Sequence, residues 1–155
     1  MKRVLILALV IFLLFTFATN IFAQKVNFSG TWKYNADKSE IPDGIRIPVP
    51  ESITFTQKDN ILTTATGTEE KLLENKYTLD GKKVINKSSK GTELTSFCKW
   101  DGDTLIIETT RPSSYGEFKT TEKFSLSKDG KTITKVMTTN MTFDQELIHV
   151  YDKVK

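Results

Sequence analysis

The chain has 155 residues, with 22 Lys and Arg against 19 Asp and Glu, a formal net charge of +3, one cysteine and one histidine. No basic cluster with interleaved aromatics occurs, so nucleic acid is not an expected partner, and a lone cysteine excludes an internal disulfide framework. One histidine excludes a two-histidine metal site, and Gly-x-Ser-x-Gly, HExxH and phosphate-loop motifs are absent.

The first segment reads as an export signal. Met1-Lys2-Arg3 is a basic head, Val4 to Ala18 is a continuous apolar run, and Ile21-Phe22-Ala23 ends in a small residue. That order is a secretory signal peptide cleaved after Ala23. The alternative is a retained anchor, but the run falls short of the roughly 20 apolar residues that span a bilayer. Residues 1–23 are therefore expected to be removed, leaving a secreted or periplasmic product with no stable membrane anchor. No cysteine follows the run to accept a lipid. Residues 24–155 form one domain by length, with a charge near +1 once Lys2 and Arg3 are lost. Such a chain buries enough surface to fold without staples. Cys98 is expected to be buried and inert, and a monomer is expected.

The rest of the chain is rich in Thr, Val, Ile, Phe and Tyr, a strand composition. Apolar and polar residues alternate along it with no sustained helical spacing. Asp80-Gly81, Asp101-Gly102 and Asp129-Gly130 are hairpin turns, because both residue types tolerate the positive φ that matches strand twist. With the Lys58-Asp59-Asn60 turn they predict ten strands, at 28–34, 51–57, 60–66, 71–79, 82–88, 92–100, 104–111, 117–126, 132–139 and 142–153. Asn35 to Pro50 is too rich in proline for a helix or central strand, and reads as a long loop folded over one end. An antiparallel meander of this length hides its edges most simply by closing into an up-and-down β-barrel. A two-sheet sandwich is the alternative, though it normally needs longer crossovers.

Alternation also assigns the inner faces. Ile53 and Phe55 share one, as do Leu73, Asn75, Tyr77 and Leu79. Phe118, Thr120, Glu122, Phe124 and Leu126 form another, and Phe143, Gln145, Leu147, His149 and Tyr151 a fourth. Polar groups inside a packed barrel cost free energy unless bonded. A cavity holding water or a ligand accounts for them, and so does a one-residue slip of register, which exchanges the faces. The ligand-binding candidates are Asn75, Tyr77, Phe118, Glu122, Phe124, His149 and Tyr151. Glu122 reads as a ligand contact or part of a buried polar network rather than a general base. Asp101-Gly102-Asp103 reads as a turn rather than a calcium loop.

Phe28 to Asn35, FSGTWKYN, opens the folded part. Gly30 allows close approach of another backbone, and Trp32, two residues on and on the same face, closes the barrel floor. This Gly-x-Trp first strand resembles the signature of lipocalins and the wider calycin group, which includes fatty-acid-binding proteins and avidins. The stretches GTWKYNADKSE, WDGDTLIIETTR and FSLSKDGKTIT look like secreted lipocalin-like proteins of environmental bacteria, a group without an established activity. Lipocalins stack a last-strand arginine on that tryptophan. Here QELIHVYDKVK has none, and Lys153 is the residue left to take its place. Fatty-acid-binding proteins grip a carboxylate with Arg-x-Tyr on their last strand, and His149-x-Tyr151 stands at a comparable position. A protonated imidazole beside a phenol would suit an anionic head group at acidic pH; the other reading of a lone histidine is a packed or surface residue. Biotin is disfavoured, since only Trp32 and Trp100 are available to stack on a ligand.

Two functions stay open: a carrier of a small hydrophobic or amphipathic molecule, and an envelope interaction or structural module with a filled barrel. An enzyme is not expected, and neither a cofactor nor a metal is called for. The sequons at Asn27, Asn86 and Asn140 matter only in a eukaryotic host.

Overall fold

Alternating strands separated by tight turns produce a single antiparallel sheet that curls back on itself. The computed structural model describes residues 26–68, 71–140 and 145–155; the expected signal segment lies outside them. The strands are β1 (Gly30–Glu40), β2 (Ser52–Lys58), β3 (Ile61–Thr68), β4 (Lys71–Thr78), β5 (Lys83–Lys87), β6 (Glu93–Asp101), β7 (Thr104–Ser113), β8 (Gly116–Leu126), β9 (Thr132–Thr139) and β10 (Leu147–Lys153). Their order across the sheet is β4-β3-β2-β1-β10-β9-β8-β7-β6-β5, because β10 pairs with β1. This is a nearly closed up-and-down barrel, and one continuous sheet replaces the sandwich alternative. Among the described residues there is no helix. The three Asp-Gly turns join β4 to β5, β6 to β7 and β8 to β9, with glycine φ values of 77°, 57° and 69° at Gly81, Gly102 and Gly130.

The barrel closes at β4 and β5 without a backbone ladder. Instead the Asn86 side chain acts as a substitute peptide group: Oδ1 accepts from the Lys76 N–H and Nδ2 donates to the Lys76 carbonyl, both at 2.9 Å.

Two boundaries differ from expectation. β1 runs on to Glu40, where a loop from Asn35 was expected. The first proline is Pro42, so the residues before it are free to pair, and a bulge between Asn35 and Glu40 carries the surplus. The Ser39 hydroxyl makes that bulge tolerable, donating to the Asn35 carbonyl at 2.7 Å and accepting from the Val150 N–H at 2.9 Å. At the other end β10 begins at Leu147, and Gln145 and Glu146 lie outside the strand. Phe143 falls outside the described residues.

The inner faces follow the expected register. Ile53, Phe55, Tyr77, Leu79, Phe124, Leu147, His149 and Tyr151 are buried, while Lys119, Lys123 and Ser125 point outward. One end of the barrel is packed solid. Phe28 stacks on Trp100 at 5.9 Å and lies 6.0 Å from Phe55, and the Trp32 indole N–H donates to the Phe28 carbonyl at 2.9 Å.

Candidate functional site

Two cavities lie above the packed floor. The inner one, about 170 Å³, is walled by Phe55 of β2, Thr64 of β3, Ile107 of β7, Phe124 of β8 and Lys135 of β9, with Pro50 reaching over it. The outer one, about 360 Å³, opens between Leu73, Leu94, Arg111, Phe118 and Thr120, beside Ser88 and Ser89 of the β5–β6 turn. Asn75, Tyr77 and Glu122 line both and form the wall the two cavities share. The outer cavity alone falls within the roughly 300–1,000 Å³ usual for ligand pockets.

The electrostatic centre is an ion pair that sequence reasoning missed. Lys135 is 5% exposed, and its Nζ lies 3.1 Å from Glu122 Oε1. On β9 it stands opposite Phe124 of β8 and His149 of β10, which places its ammonium among the inward-facing polar groups. Burial and then the Glu122 charge raise the pKa of both Tyr77 and Tyr151, so both phenols keep their protons. Burial, helped by Lys135, pulls the His149 imidazole down to about 4. The imidazole is therefore neutral at mildly acidic pH. Of the two readings of His149 this favours the packed residue over a protonated one holding an anion, because an apolar surround and a nearby ammonium both oppose a second positive charge. Asn75 Oδ1, His149 Nδ1 and the Tyr151 hydroxyl are buried without a hydrogen-bond partner.

The expected site residues divide into two groups. Asn75, Tyr77, Glu122 and Phe124 meet around the inner cavity, and Phe118 lines the outer one beneath the Arg111 guanidinium, 4.3 Å from its ring centre. His149 and Tyr151 face inward but line neither cavity. Each is 1% exposed and packs against Tyr34, at ring distances of 6.2 and 5.5 Å. Tyr34 of β1, which stands directly opposite Tyr151, fills the space that a ligand would need beside them. Lys135 gave no sequence signal beyond its position: it alternates with Ile133 and Met137, and that spacing alone was available to place it inside.

The floor residues also need one correction. Trp32 is fully buried, and Lys153 Nζ sits 5.1 Å from its ring centre, the cation–π contact expected of the residue replacing the lipocalin arginine. Gly30, at φ 134°, makes room for the Lys153 side chain and not for another backbone: a Cβ there would stand 3.2 Å from Lys153 Cε. Cys98 is buried, and burial pushes its thiol up to about 12, which leaves it protonated and unreactive. Among the described residues no group of three His, Cys, Asp or Glu side chains could hold a metal ion.

No family model matches the chain, and no curated protein sequence does either. Solved structures do. A fatty acid transporter designated REP1-NXSQ superposes with a TM-score of 0.60 at 16% identity, covering 82% of this chain and 96% of its own. Secretory abundant heat soluble protein 4 from Ramazzottius varieornatus gives 0.61 at 16% identity, over 83% and 95%. Fatty-acid-binding protein 1 from Echinococcus granulosus gives 0.60 at 16% identity, over 83% and 98%. These likenesses span nearly the whole of each neighbour and concern the fold. The chain has the lipocalin-like, calycin-type barrel fold that its Gly-x-Trp first strand resembles.

Proposed function

We propose that this barrel is exported and carries a small hydrophobic or amphipathic molecule in its interior. The observation that carries the reading is the pair of adjoining cavities, with partly apolar walls and a buried Asn75 Oδ1 on their common wall that lacks a partner. Buried polar groups are normally bonded, and a bound molecule with a polar head would bond this one. The fatty-acid transporter and fatty-acid-binding protein among the structural neighbours add support by analogy of fold. Native mass spectrometry of protein purified from its own host tests it. A co-purifying adduct of lipid size is the expected result, together with binding of a fluorescent lipophilic probe. A bare chain mass and no probe binding from mildly acidic to neutral pH would refute the carrier.

The second reading, an interaction or structural module with a filled barrel, is favoured by the packing of His149 and Tyr151 against Tyr34. The same experiment separates it from the first. Export rests on the basic head, apolar run and Ala23. Intact mass of the exported protein should show an N-terminus at Gln24-Lys25-Val26, and Met1 retained on a membrane-bound product would refute cleavage.

A further inference from the structure

Resting on the carrier reading, we infer that the bound molecule presents an uncharged hydrogen-bonding head, a hydroxyl or an amide, to the inner cavity, rather than a carboxylate. The inner cavity is lined by two charged side chains, Glu122 and Lys135, and they neutralise each other at 3.1 Å. No counter-charge is left over for a ligand. An incoming carboxylate would meet Glu122 at close range in a medium that screens poorly. It could recruit Lys135 only by displacing Glu122, which would then be the unpaired buried anion.

The interior lacks hydrogen-bond partners, not charge. Asn75 Oδ1 is buried and unpartnered on the wall common to both cavities. A hydroxyl both donates and accepts, and an amide carries both functions on one plane, so either satisfies such an atom without adding charge. The third charged lining residue, Arg111, stands exposed over Phe118 on the outer cavity, where water and salt screen it.

A fatty alcohol, the primary amide and the fatty acid of one chain length can compete for a lipophilic fluorescent probe on the purified protein at mildly alkaline pH, where the acid is ionised. The alcohol and amide should each outbind the acid by about tenfold or more. An acid that binds as well or better overturns the head-group assignment and leaves the carrier reading standing. If that acid affinity vanishes in Arg111→Gln, the head lies at the rim, and the assignment is overturned likewise. No binding of the probe or of any of the three overturns the carrier reading and the assignment with it. Glu122→Gln keeps the shape but unbalances Lys135. Acid binding should then improve by about tenfold relative to alcohol binding in the same variant. An unchanged ratio of the two in the folded variant overturns the assignment, and the unmutated protein decides the matter if that variant does not fold.

Discussion

Replacing His149 with glutamine should flatten the acid side of the stability curve. Above neutral pH the imidazole is uncharged in both the folded and unfolded chain, and it contributes no pH dependence. As the pH falls below the ordinary 6.5, the unfolded chain takes up a proton that the folded barrel refuses until about 4. The unfolded state then binds more protons, so stability falls with falling pH across that window and levels off below it. At about 1.36 kcal/mol per pKa unit, the full loss approaches about 3 kcal/mol. Somewhat under half of that is gone near pH 5.5, and most of it near pH 4.5. Urea titrations of parent and His149→Gln at neutral pH and at those two values measure the difference directly. Surface carboxylates titrate equally in both proteins and cancel. A gap between parent and variant that stays constant across the range would refute the buried, neutral imidazole.

The Lys135–Glu122 pair should break asymmetrically. Glu122→Leu strands an ammonium whose side chain is 6% exposed, for a loss of about 3–5 kcal/mol in denaturant melts. Lys135→Met leaves a carboxylate that is 25% exposed and partly solvated, so it should cost clearly less, and equal losses would contradict the difference in depth. Trp32→Ala should melt far below the parent, costing about 3–5 kcal/mol, with Trp32→Phe in between. Trp100→Ala should cost less, because Trp100 is half-buried at a strand end; a Trp32→Ala protein that melts with the parent would remove the floor role. Gly30→Ala should destabilise by about 1–3 kcal/mol, since a Cβ there meets both an unfavourable φ and the Lys153 side chain. Unchanged thermal stability would refute it.

The barrel was legible because its turns are chemically explicit. Asp-Gly pairs at 80–81, 101–102 and 129–130 mark hairpin ends independently of everything around them, and alternation then fixes which face is buried. β1 was harder to read. Its second half, ADKSE, is largely polar, and pairing there depends on the Ser39 hydroxyl, which donates to the Asn35 carbonyl within β1 and accepts from the Val150 N–H more than a hundred residues away. The inner polar centre was half legible for a related reason. Glu122 stands between Thr120 and Phe124 on an evident inner face, whereas β9 has apolar residues on both sides, with Val136 half-buried outside and Ile133 and Met137 inside. A lysine in such a strand reads as solvent-facing until its partner across the sheet is known. His149 and Tyr151 were placed on the correct face, but that Tyr34 covers them depends on the pairing of β1 with β10, which sets Tyr34 opposite Tyr151.

The amide that joins β4 to β5 restricts where this protein can be produced. Asn86-Lys87-Ser88 is an acceptor pattern for N-linked sugar, yet both ends of the Asn86 amide are committed to the Lys76 backbone. Asn140, in Asn140-Met141-Thr142, is committed in the same way: it accepts from the Lys119 N–H at 2.9 Å and donates to the Glu117 carbonyl at 2.8 Å. A glycan on either nitrogen would place a bulky group where a neighbouring strand must lie. A eukaryotic secretory cell attaches such sugars during synthesis, before the barrel can close around these amides. Bacterial expression leaves them bare, while a glycosylating host would need Ser88 and Thr142 replaced, so that the asparagines survive as structural parts and cease to be sugar acceptors.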